Sequence, residues 1–134
     1  MAANYCKELT KKREKGYKKL KKIYCPCLKE YIYFTSDGFH HLRYDVVGKE
    51  RNVKEQIYKL QLIPLIIPVI KKAKEINEYK RKKVKISRKK KSPKKKVEYW
   101  SLVEVVGKQS VKIKVILRKV GDGRIIFWSV MKLT

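Results

Sequence analysis

The chain has 134 residues, with 37 Lys and Arg against 12 Asp and Glu, for a formal charge of +25. That length holds one domain with one modest core and leaves no room for a second catalytic domain. The charge far exceeds what solubility requires and calls for a polyanionic partner, while a hydrophobic content of 43% argues against a disordered basic tail. RNA and DNA lead as partners, ahead of an anionic membrane surface.

The N-terminus, "MAANYCKELTKKREKGYKK", has no apolar run before its charges, so a cytoplasmic protein is expected. The apolar run "LQLIPLIIPVI" (60–70) is too short to span a bilayer, is broken by Gln61, Pro64 and Pro68, and reads as core. Cys6, Cys25 and Cys27 form an odd set that reads as free thiols. A zinc site built from them and the histidines is disfavoured by spacing, so no metal or other cofactor is expected.

Leu9, Tyr17, Leu20, Ile23 and Tyr24 fall at helical spacing among lysines, which predicts a basic amphipathic helix from Tyr5 to Tyr24, ended by Pro26. "YIYF" (31–34) reads as a short strand. Ser36 as N-cap and Asp37 in the first turn announce a helix over 37–45, with Phe39, Leu42 and Val46 as its buried stripe. His40 and His41 flank that stripe equally, and periodicity does not choose between them. Asn52 and Glu55 have capping-box spacing before Ile57, Leu60 and Ile63. Pro64 should bend or restart this helix, and a further helical segment is expected over about 65–77.

From Glu78 the pattern turns strand-like. It is interrupted by "KRKKVKISRKKKSPKKK" (80–96), where twelve of seventeen residues are basic, too dense to pack, so a mobile loop is expected at about 87–96. Residues 97–106, 110–120 and 124–131 read as antiparallel strands. Asp122-Gly123 between Gly121 and Arg124 suggests a two-residue type I′ turn. That register places Val115 opposite Val130 and Leu117 opposite Trp128, with Val111, Ile113 and Ile126 on the same apolar face. Lys112, Lys114, Ile116, Arg118, Phe127, Ser129 and Met131 then share an open, basic face. In the preceding hairpin, pairing Glu104 with Lys114 and Trp100 with Arg118 puts Val103 and Val105 in the core.

The expected architecture is α+β, with helices on one face of a four-stranded antiparallel meander whose other face is basic and partly aromatic. Such a face suits single-stranded nucleic acid, with cations holding phosphates and rings stacking bases.

The pieces "YFTSDGFHHLRYD", "ERNVKEQIYKLQLIPLII", "EYWSLVEVV" and "KIKVILRKVGDGRIIFWSV", in that order, resemble the phage-type branch of the barnase/EndoU/colicin/RelE-like (BECR) nuclease superfamily over about residues 31–131. The resembling elements are a GFxHL segment (Gly38, Phe39, His41, Leu42), Arg51 with Gln56, the run Leu62 to Leu65, Tyr99-Trp100, Arg118, and Phe127 to Val130. The resemblance implies an RNase domain over 31–134, with residues 1–30 as a basic helical addition. It also implies cleavage without a metal, in which the ribose 2′-hydroxyl attacks its own 3′ phosphate.

On that resemblance His41, Arg118 and Ser129 are the catalytic candidates, as proton carrier, phosphate clamp and hydrogen-bonding group. Arg51, Lys114, His40, Phe127 and Gln56 are candidates for holding substrate. RNA is the implied partner, with an acidic inhibitor protein as a second one. A non-catalytic RNA- or ribosome-binding module on the same basic face is the rival reading.

Overall fold

The computed structural model describes residues 2–45, 47–85 and 94–133, so most of the expected loop at 87–96 lies outside the described residues. The fold is α+β. In chain order it has α1 (Ala2–Lys18), β1 (Lys22–Cys25), β2 (Glu30–Tyr33), α2 (Ser36–Arg43), α3 (Val53–Gln61), a 3-10 turn (Ile63–Leu65), α4 (Ile66–Lys72), β3 (Glu78–Lys85), β4 (Lys94–Val106), β5 (Val111–Val120) and β6 (Ile125–Leu133). The sheet has six strands in the order β1-β2-β6-β5-β4-β3, and β2 runs parallel to β6, so it is mixed and larger than the expected four-stranded antiparallel meander.

The two additional places in the sheet go to the β1–β2 hairpin. The first helix stops at Lys18, and Lys21 takes a left-handed φ of 52° that turns the chain into β1. From there the side chains alternate: Ile23 and Cys25 face the core, while Lys22 and Tyr24 face outward beside their partners Tyr33 and Tyr31. Ile23 and Tyr24 are therefore strand residues and not the end of a helix.

Other local signals hold. The Asn52 side chain accepts a hydrogen bond from the Glu55 backbone N–H at 2.8 Å and caps α3. Pro64 sits in the 3-10 turn that separates α3 from α4. The fourth helix is shorter than expected, because the chain turns extended at Ala73 and leaves Ile76 exposed. The second helix begins at Ser36 with Thr35 as its N-cap; Phe39 and Leu42 are buried as expected, and Val46 lies outside the described residues. Lys94, Lys95 and Lys96 belong to β4, paired with β3.

Two registers differ from expectation. In the last hairpin Val115 pairs with Val130 and Ile116 with Ser129, but Leu117 then pairs with Phe127, leaving Trp128 as the extra residue of a β-bulge. The bulge turns Phe127 inward, fully buried, and Trp128 outward. It also moves Ile126 opposite Arg118 on the open face. The connection is not a type I′ turn, since Gly121 has positive φ but Asp122 does not. In the β4–β5 hairpin, Tyr99 pairs with Arg118, Trp100 with Leu117 and Val103 with Lys114, one residue off the expected pairing. Leu102 and Val106 therefore fill the core in place of Val103 and Val105.

One sheet face packs under α4, which lies against β1, β4 and β5. Beyond Ile126 the edge of β6 has no strand neighbour among the described residues, and α2 and α3 cover it: the Lys59 ammonium donates to the Val130 carbonyl at 3.3 Å, and the Tyr58 hydroxyl meets the Lys132 backbone. Tyr17 of α1 locks the corner, buried among Phe34, Phe39 and Phe127, with its hydroxyl donating to the Thr35 carbonyl at 2.7 Å. Burial pushes its pKa up, so it stays a neutral donor. Among the described residues no helix is long and apolar enough to cross a membrane.

The approach of α2 to β6 is set by Gly38, where a Cβ would strike the Phe127 carbonyl oxygen and come within 2.8 Å of the Tyr17 hydroxyl. A methyl group there forces backbone apart, at a cost of about 1–3 kcal/mol. Gly38→Ala is expected to lower the unfolding free energy measured by urea denaturation by that amount relative to Gly16→Ala, whose Cβ meets nothing within 4 Å.

Candidate functional site on the open sheet face

Residues directly opposite one another on neighbouring strands share a face, so pairing alone lays out the site. One row across the sheet is Glu78, Ser101, Ile116 and Ser129; the next is Lys80, Tyr99, Arg118 and Ile126. Lys114 pairs with Val103 and Met131 on the same face. The bulge adds Trp128 to this surface, and α2 brings His41 over it from beyond the β6 edge.

The indole of Trp128 joins the two principal candidates. The His41 ring stacks on it with centroids 4.3 Å apart and planes 13° from parallel. The Arg118 guanidinium carbon lies 4.2 Å from the same centroid and 5.7 Å from that of Tyr99. Nε of Arg118 is buried and has no hydrogen-bond partner among the described residues.

Beside this stack lies a pocket of about 360 Å³, lined by His41, Trp128, Ser129, Ser101, Tyr99 and Ile116 and ringed by charge. Among the described residues its charged lining is Arg51, Lys59, Lys80, Lys82 and Lys114 against the single carboxylate of Glu78. Glu78 holds Lys114 at 3.4 Å and Lys80 at 3.7 Å, and those two cations lower its pKa. Glu104, the expected partner of Lys114, instead pairs with Ile113 on the opposite face.

His41 is 9% exposed. Burial, reinforced by repulsion from Arg51, Lys59 and Arg118 and more weakly His40, pushes its pKa down to about 4. It is therefore a neutral imidazole at physiological pH. Lys59 is 7% exposed, and burial first, then Arg51, lowers its pKa, while Glu55 opposes the shift. Arg51 is tethered by donating Nε to the His41 carbonyl at 3.1 Å, with Glu55 3.7 Å from its guanidinium.

Of the sequence candidates, His41, Arg51, Lys114 and Ser129 line one pocket; Arg118 is not in its lining but packs against Trp128, which is. Three others fall elsewhere. His40 points to the opposite side of α2, stacked on Tyr44 at 4.3 Å, and lines a separate groove of about 540 Å³ with Glu14, Tyr17 and Lys18. Phe127 is sealed in the core by the bulge. Gln56 is 2% exposed and fully engaged: its Oε1 accepts from Arg43, and its Nε2 donates to Glu50 and to the Arg51 carbonyl. Phe127 and Gln56 therefore hold the framework and do not face a ligand.

Sequence reasoning missed Trp128, Lys59 and Glu78 as site residues. The bulge hid the first. The other two carry polar side chains at helix and strand positions with no motif to distinguish them. Among the described residues no three His, Cys, Asp or Glu side chains converge as a metal-ligand group. No family model, curated protein or solved structure matches the chain.

The lowered His41 pKa links protonation to folding. Between pH 6.5, the ordinary value, and about 4 the unfolded chain binds a proton there that the folded chain does not, so stability falls as pH drops through that window. The full effect is on the order of 3 kcal/mol. Urea denaturation at neutral pH and near pH 4.5 should show a loss for the native chain that is much smaller in His41→Gln.

Proposed function

We propose that this chain is a metal-independent endoribonuclease of the BECR type, with its reacting centre in the pocket beside Trp128. The observation that carries the reading is the meeting of His41 and Arg118 on one indole ring at the rim of a pocket with five cations and one carboxylate. The resemblance across residues 31–131 points to the same chemistry, and the α+β fold with an open sheet face accommodates it.

In this reading a phosphodiester settles among Arg118, Lys114 and Arg51, with the Ser129 hydroxyl as a further donor. The neutral His41 takes the proton from the ribose 2′-hydroxyl as its oxygen attacks phosphorus. The bond to the 5′ oxygen breaks, and that oxygen takes a proton from a lysine ammonium of the pocket. Lys59, whose burial loosens its hold on its proton, is the best suited. The products are a 2′,3′-cyclic phosphate and a free 5′-hydroxyl. The cations stabilise the extra negative charge of the phosphorane, which exceeds that of the ground-state diester. The excess of positive charge also suits an acidic inhibitor protein, which would cover the same face.

Purified protein incubated with labelled RNA in EDTA should cleave it to cyclic-phosphate ends. His41→Ala and Arg118→Gln should each lower the rate by about 10²–10⁴-fold, while His40→Ala leaves it unchanged. The acid limb of kcat/KM should fall near pH 4, since that parameter reports the free protein, whose His41 is held down to about 4. Intact RNA at every protein concentration, with binding retained, would instead establish a non-catalytic RNA-binding module, the reading that the burial of His41 favours.

A further inference from the structure

The open face does not end at the pocket. Tyr33 of β2 pairs in parallel with Ile126 of β6, and Ile126 pairs with Arg118, so the outer face of the β1–β2 hairpin continues the face that carries the site. That outer face holds Lys22, Tyr24, Tyr31 and Tyr33. Rings and cations alternate along it. Tyr24 meets Tyr31 edge-on at 5.4 Å, the Lys22 ammonium lies 4.7 Å from the Tyr31 centroid, and the Arg124 guanidinium lies 4.4 Å from that of Tyr33. On the far side of Ile126 the sequence resumes with Arg118 over Trp128 and Tyr99, and Lys82 lies 5.7 Å from the Tyr99 ring.

We infer that the β1–β2 hairpin is a distal subsite for single-stranded RNA, with Tyr24 and Tyr31 stacking unpaired bases while Lys22 and Arg124 hold the adjoining phosphates. The inference rests on reading the open face as an RNA-binding surface and extends the bound strand beyond the pocket. From β1 to β4 the track crosses four strand spacings, roughly 19 Å, enough for several nucleotides. Tyr24 and Tyr31 are 45% and 48% exposed, so their rings are open to a base. Large exposed aromatics packed against each other and bordered by cations are costly to leave in water, and alternation of ring and cation matches alternation of base and phosphate along one strand. A duplex offers the same phosphates but keeps its bases stacked inside, so it engages the cations and not the rings.

The test uses the full chain and a short fluorescent oligoribonucleotide with 2′-O-methyl riboses, which binds without being cleaved by 2′-hydroxyl attack. Anisotropy at fixed salt should show the double variant Tyr24→Leu/Tyr31→Leu binding this strand at least about five-fold more weakly, with a duplex of the same sequence unaffected. Tyr24→Phe/Tyr31→Phe keeps the rings and should bind like the native chain. Arg124→Gln, remote from the core, should weaken both strand and duplex and reduce the salt slope by about one. Unchanged single-strand binding by the leucine variant, or equal losses for strand and duplex, overturns the subsite. Cleavage of a dinucleotide, too short to reach the hairpin, separates the two readings. A cleaved dinucleotide with no tyrosine effect removes the subsite alone. An uncleaved dinucleotide with a clear tyrosine effect removes the catalysis and leaves the subsite standing.

Discussion

The close approach of α2 to β6 at Gly38 governs the rest of the site. With no side chain on Gly38, the helix settles against the Phe127 carbonyl at the point where β6 bulges. The bulge releases one residue from the ladder and turns two successive aromatics to opposite faces, Phe127 into the core and Trp128 onto the open sheet. One helical turn after Gly38, His41 then lies on the Trp128 ring. Bulges commonly re-aim a side chain beside a functional surface, and here the re-aimed residue is a platform that holds an imidazole and a guanidinium together. Stacking supplies that order, and among the described residues the buried Nε of Arg118 has no hydrogen-bond partner.

Electrostatics and burial act together on that platform. Arg51, Lys59 and Arg118 surround an imidazole already deprived of water, and each disfavours its charged form. An anion bound among these cations would offset their repulsion, while burial, the larger cause of the lowered pKa, would still disfavour the charged imidazole. The free pocket thus carries mutual repulsion that an anion would reduce. Glu78 moderates the repulsion at one rim through Lys80 and Lys114, and Glu55 does so behind His41 through Arg51 and Lys59.

Much of this was legible from local signals, and the failures share a cause. The Asn52 cap, the restart at Pro64 and the pairing of Val115 with Val130 follow from backbone chemistry and alternation that few other conformations satisfy. The inner half of the last hairpin did not, because Phe127 and Trp128 are both large aromatics, and a one-residue slip exchanges one for the other without spoiling the apolar pattern. The strand β4 has the same ambiguity, since Leu102 and Val106 on one parity compete with Val103 and Val105 on the other. Ile23 and Tyr24 fit a helical stripe as well as an alternating strand, and only the partner strand decides. Gln56, a substrate-holding candidate on the resemblance, is instead buried by Glu50, Arg43 and the Arg51 carbonyl, which pattern could not bring together.

The choice of strand over helix at residues 22–25 also shapes what the protein can hold. Had the basic helix continued to Tyr24, its tyrosines would have been divided between core and solvent on a rod beside the domain. As a hairpin the segment joins the sheet edge, buries Ile23, Cys25 and Ile32, and turns Lys22, Tyr24, Tyr31 and Tyr33 to one side. The parallel pairing of Tyr33 with Ile126 then makes that side continuous with the face that carries the bulge. A short edge extension thereby continues the face of the pocket with further exposed rings and cations. The charge excess that composition alone revealed becomes a directed feature, because the cations alternate with rings along a line.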